Sequence, residues 1–175
     1  MKKTIAVAVA IAAITIASNV SAADATGTLA VTGTVESSIF LTIESAGGTT
    51  SGMGTAAAST DLGTIAKYGT SAPTGFTLTR GASNWTLSST VGVRVVKANL
   101  TSTDYTLGAE LQSAPASGIV WKLNGSTLPK GASPATLTST GTYASTASYS
   151  WDIVVADSAA AAAIDNTILF SASSN

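Results

Sequence analysis

The chain has no cysteine and no histidine. The first absence excludes disulfide staples, thiol nucleophiles and thiolate metal sites. The second excludes imidazole bases, histidine-based triads and histidine metal ligands. Charge is also scarce: 10 % of residues are Asp, Glu, Lys or Arg, and the formal net charge is −1. That balance cannot supply the basic patch a nucleic-acid partner requires. Neither the nucleophile-elbow pattern G-x-S-x-G nor the phosphate-cradling G-x-x-x-x-G-K occurs.

Weaker candidates for chemistry have plainer readings. Gly52-Met53-Gly54-Thr55-Ala56-Ala57 formally matches a dinucleotide fingerprint. That motif works only between a strand and a helix. Here it lies in a Gly/Ala/Ser/Thr-rich stretch, residues 47–59, which reads as a loop. Asp152, Asp157 and Asp165 offer oxygen ligands for calcium, but their spacing matches no known loop pattern. They read as solvated turn residues, with Asp157 near a cap. Nine acidic residues make some carboxylate pair inevitable, and context singles out none for glycoside chemistry. Trp85, Trp121 and Trp151 would suit sugar stacking, yet each falls in phase with aliphatic neighbours, which points to the core. The reading is therefore of a non-enzyme, with no cofactor and no metal.

The N-terminus carries an export signal. Met1-Lys2-Lys3 is positive, the run to Ala17 is small and apolar, and Val20-Ser21-Ala22 has the small-residue pattern of signal-peptidase cleavage. Ser18 and Asn19 cut the run short of the ~20 apolar residues needed to span a bilayer. Cleavage after Ala22 removes Lys2 and Lys3, so the formal charge falls from −1 to −3. An exported domain without cysteine must draw its stability from burial or assembly.

What the chain has in abundance is period-2 alternation, the mark of half-buried strands. The stripes are Ile39, Leu41 and Ile43; Phe76 and Leu78; Trp85 and Leu87; Val91, Val93 and Val95; Tyr105, Leu107, Ala109 and Leu111; Ile119, Trp121 and Leu123; Tyr149, Trp151, Ile153 and Val155; and Ile168, Phe170 and Ala172. Gly, Pro, Asn and Ser clusters separate them. Many short strands with turn signals predict an all-β sandwich or barrel. Asn124-Gly125 predicts a two-residue hairpin, because a type I′ turn needs positive φ at both central positions. Residues 159–163 are alanines after Asp157-Ser158 and predict a one-turn connector.

One more stripe precedes the first of these. In Thr28-Leu29-Ala30-Val31-Thr32-Gly33-Thr34-Val35, the residues Leu29, Val31, Gly33 and Val35 share a face. Such a strand at the free end of a mature chain can complete its own sheet or pair with another molecule's open edge.

Several segments resemble the subunits of chaperone–usher pili. The likeness is to the alternate, coli-surface-antigen type or a related archaic type. The segment from Thr28 to Glu36 is similar to that family's N-terminal extension, and Ile39-Phe40-Leu41-Thr42-Ile43 resembles its first domain strand. The run Gly118-Ile119-Val120-Trp121-Lys122-Leu123-Asn124-Gly125-Ser126-Thr127-Leu128 resembles its mid-chain hairpin. Residues 149–155, the connector and residues 166–173 resemble its last two strands, and Asp61-Leu62-Gly63-Thr64-Ile65 resembles a segment common among pilins. The resemblance implies an immunoglobulin-like β-sandwich, residues 37–175, lacking one strand. It implies a signal peptide over residues 1–22 and a donor-strand extension over residues 23–36. The donor residues would be Leu29, Val31, Gly33 and Val35. The implied partners are neighbouring subunits of a homopolymer, a periplasmic chaperone and an outer-membrane usher. The implied location is a fimbrium on the bacterial cell surface, serving adhesion. The competing expectation is a self-contained secreted β-sandwich that binds a carbohydrate or a surface partner.

Overall fold

The structure, a computed structural model, describes residues 30, 32–33, 36–66, 69–131, 133–160 and 164–175. The expected signal peptide lies outside the described residues, as do Leu29, Val31 and Val35 of the expected donor stripe. The body spanning Val35–Asn175 is one compact unit. Its described residues contain strands and no helix.

The strands are β1 (Ser38–Ala46), β2 (Thr49–Ser51), β3 (Ser59–Asp61), β4 (Thr77–Arg80), β5 (Asn84–Ala98), β6 (Asp104–Leu111), β7 (Ile119–Leu123), β8 (Ser126–Thr127), β9 (Ala135–Thr142), β10 (Thr146–Ala156) and β11 (Ile168–Ser174). One sheet runs β1-β5-β10-β7-β8, with β4 also on β5; a second runs β11-β6-β9; β2 and β3 form a separate ribbon. The ladders are antiparallel.

Alternation explains how the two larger sheets share a core. Inward residues of β5 (Leu87, Val93, Val95), β6 (Tyr105, Leu107, Ala109), β7 (Leu123) and β10 (Ile153) are 0 % exposed and belong to one cluster. Two sheets enclosing such a layer are the arrangement of a β-sandwich. Each fully buried aliphatic side chain contributes ~1.5–3 kcal/mol from apolar burial. Truncating Leu107 or Ile153 to alanine would cost ~2–5 kcal/mol, because the cavity collapses only partly.

The Asn124-Gly125 hairpin is present. Leu123 pairs with Ser126, and both turn residues have positive φ, 48° and 75°. The stripes at Trp85–Leu87 and Val91–Val95 prove to be one strand of 15 residues. Its inner position 89 is a serine, whose hydroxyl donates to the Gly75 carbonyl at 2.7 Å. Residues 47–59 are not simply a loop, since they include β2 and the start of β3. The ribbon is tied by side chains: the Thr50 and Thr60 hydroxyls lie 2.8 Å apart, those of Ser51 and Ser59 2.9 Å. Before the last strand, Asp157 and Ser158 form a turn in which the Ala159 N–H donates to the Ala156 carbonyl at 2.9 Å. Residues 161–163 of the expected connector lie outside the described set.

Asn175 fastens the far end of β11. Its Nδ2 donates to Asp104 Oδ1 and, at 2.8 Å, to the Ser139 carbonyl, and its Oδ1 accepts from the Thr106 hydroxyl at 2.8 Å. One side chain thus spans from the end of β11 across β6 to β9.

Candidate functional site

β1 and β11 are each bonded to their own sheet along one edge only, β1 to β5 and β11 to β6. They approach each other, with Cα atoms within 8 Å, yet no ladder joins them. Between them lies an open groove of about 820 Å³. Leu41, Ile43 and Ala46 of β1 line one side, and Ile168 and Phe170 of β11 the other. Trp121, Trp151 and Val91 line it from the core, while residues 56–63 and 164–167 complete its walls.

Side-chain burial follows this seam. On β6 the inward residues are 0–1 % exposed. On the neighbouring β11, the inward residues Ile168, Phe170 and Ala172 are only half-buried, and so are Ile39 and Leu41 on β1. Their phase is right for the core, but nothing among the described residues covers them fully.

Backbone groups follow the same seam. In an antiparallel strand, successive residues turn their N–H and C=O alternately to the two edges. The Gln112 N–H donates to the Thr167 carbonyl at 2.9 Å, and the Asn175 N–H to the Asp104 carbonyl at 3.3 Å. Odd-numbered residues of β11 therefore bond to β6, and Ile168, Phe170 and Ala172 turn their backbone groups to the open edge. On β1 the Ile43 N–H donates away from β5, to the Thr55 carbonyl at 2.9 Å, so Ile39 and Leu41 also face the open edge. These five residues turn main-chain groups to the open edges, and three of them, Leu41, Ile168 and Phe170, also line the groove.

Asp61 and Asp165 line this groove, and among the described residues no basic one does. Asp152, Asp157 and Asp165 do not come together: no group of three or more potential metal ligands occurs among the described residues. Gly52 and Gly54 have φ of 75° and 77° and lie between β2 and β3, so the fingerprint-like segment is a turn between strands. Trp85, Trp121 and Trp151 are 4–5 % exposed, in the core as their phase predicted. Of the expected donor residues only Gly33 is described, and it is exposed; Ala30, Thr32 and Glu36 beside it lie outside any strand.

The groove itself was not anticipated residue by residue. Its two edges lie more than a hundred residues apart in sequence, and only the stripe phases of residues 39–43 and 168–172 hint at them. Comparison with protein-family models, curated proteins and solved structures gives no match.

Proposed function

We propose that this chain is a structural subunit of a surface fimbrium, polymerising by donor-strand complementation. The open slot between β1 and β11 carries this reading. In it the domain is an immunoglobulin-like sandwich short of one strand. The N-terminal extension of the next copy supplies that strand, placing Leu29, Val31, Gly33 and Val35 against the groove. Main-chain hydrogen bonds give affinity, and alternate side chains entering the groove give specificity. A nine-residue strand spans ~30 Å, enough to run the length of β11. The contact is head-to-tail and does not close, so it builds a filament. An unpaired edge invites aggregation, so a periplasmic chaperone covers the groove before an outer-membrane usher passes the subunit on. The role is mechanical and adhesive, with no catalytic step.

The chain's lack of cysteine makes the test clean. Val31→Cys is combined in turn with Ile168→Cys, Phe170→Cys or Ala172→Cys, and the products are run without reductant. A ladder of disulfide-linked multimers from at least one pair is expected. Deleting residues 26–35 should leave a chaperone-dependent domain that elutes as a single subunit. Filaments formed by that truncated chain would overturn the reading, and a stable chaperone-free monomer would favour a self-contained binding module.

A further inference from the structure

With a strand in the groove, as proposed above, the two edges cannot hold it equally. Ile43 is already engaged. Its N–H donates to the Thr55 carbonyl at 2.9 Å, and its carbonyl accepts from the Gly54 N–H at 2.7 Å. Thr55 therefore forms an antiparallel bridge on the very edge that an inserted strand would use. The segment is firmly held. Thr55 Oγ1 lies 2.6 Å from the Gly52 carbonyl and 2.9 Å from the Ala57 carbonyl, and its N–H donates to Gly52 at 3.2 Å.

We infer that the Gly54-Thr55 turn is an end-stop for the inserted strand, which pairs with β1 only at Ile39 and Leu41 and with β11 at Ile168, Phe170 and Ala172. Three consequences follow. β11 supplies most of the main-chain affinity. The insert turns away where Thr55 begins, so residues beyond that point add no ladder. Ile43 contributes its side chain to the groove wall but no hydrogen bond to the insert.

Gly54 gives a way to loosen the stop. Its φ of +77° is one that residues with a Cβ adopt at a cost, yet an added Cβ would meet no atom within 4 Å. Gly54→Val therefore strains the turn through its backbone, at a position where the added Cβ has open space.

The test is pulse-labelled amide hydrogen exchange, residue by residue, on the full chain just released from its chaperone, at a dilution where it is still monomeric. The probe is a synthetic peptide of residues 26–36. In the free native chain the Ile43 amide should exchange roughly tenfold more slowly than that of Leu41, because only Ile43 is bonded. Peptide should slow Ile39, Leu41, Ile168, Phe170 and Ala172 and leave Ile43 within about twofold of its starting rate. In Gly54→Val the free-chain Ile43 amide should exchange roughly tenfold faster, and peptide should then slow it. The end-stop is overturned if native Ile43 exchanges as fast as Leu41, or if peptide slows both together. If the β11 amides do not respond while Ile43 stays protected, the strand-acceptor reading itself falls and the bridge is only a local tie.

Discussion

Trp121 and Trp151 stack with ring centroids 6.1 Å apart and planes 20° from parallel. They sit on adjacent strands, and both line the groove from the core side. Phe76 meets Trp151 edge-on at 5.1 Å. Removing either indole would leave a cavity under the groove. We expect Trp121→Ala and Trp151→Ala each to cost ~3–5 kcal/mol in urea unfolding. Adding oligosaccharides to the native protein should leave its tryptophan fluorescence unchanged. Wild-type stability in both variants, with a fluorescence response to sugar, would favour the binding-module reading.

Under the donor-strand proposal, Gly33 is the residue that would separate assembly from folding. It is exposed in its own chain, and as a donor residue it would face the groove of a neighbour. Gly33→Leu adds bulk there, which typically costs ~1–3 kcal/mol in a packed site. We expect polymer yield to fall while the melting point of a single subunit, stabilised by a donor peptide fused after Asn175, does not move. A lowered melting point with normal polymer would contradict the donor role.

The β7–β8 turn should be sensitive to side chains. Asn124 and Gly125 are both left-handed, and Asn124 Oδ1 accepts from the Ser150 N–H at 3.2 Å. We expect Gly125→Val to lose ~1–2 kcal/mol from the φ penalty, and Asn124→Ala to lose the bond to Ser150 as well as its tolerance of that φ. Thermal melts of the two variants check this. A Gly125→Val protein as stable as the native one would show that the turn relaxes to another type.

Alkaline stability should turn on Tyr105. Burial, and secondarily the neighbouring Tyr143, pushes its phenol above the ordinary value of 10.0. Burial likewise raises Tyr149, with Tyr105 as the lesser cause. A raised folded pKa means that the folded state holds its proton after the unfolded chain has lost it. The stabilising contribution is therefore intact below pH ~10 and is lost as pH climbs past that value toward the folded pKa. Tyr105 Oη also has no hydrogen-bond partner among the described residues, so Tyr105→Phe should cost little at neutral pH and should flatten the alkaline decline. A steeper decline in that variant would contradict the assignment.

Much of the fold could be read from stripe phase. The inward sets of β1, β6, β7, β10 and β11 are all visible as alternating apolar residues. β5 looked like two runs because Ser89 interrupts its inner face. β9 was missed altogether: Ala135-Thr136-Leu137-Thr138-Ser139-Thr140-Gly141-Thr142 has almost no apolar stripe. Its Gly141 exists for a partner that local sequence cannot reveal, since a Cβ there would lie 2.3 Å from the Tyr105 ring. The groove was hidden for the same reason. Half-burial of Ile168 or Leu41 depends on what fails to cover it, and periodicity reports only which way a side chain points.

The Asn175 clasp has a consequence under force. β11 hangs on β6 by a seven-residue ladder whose bonds run across the strand. A pull along the strand axis strains those bonds together, whereas a pull outward at Ser174 would peel them one pair at a time. Peeling from that end must first break the contacts of Asn175 with Asp104, Thr106 and Ser139. The strand is thus strong in shear and latched against unzipping. In single-molecule pulling, Asn175→Ala should lower the peeling force at that end and leave the axial rupture force nearly unchanged.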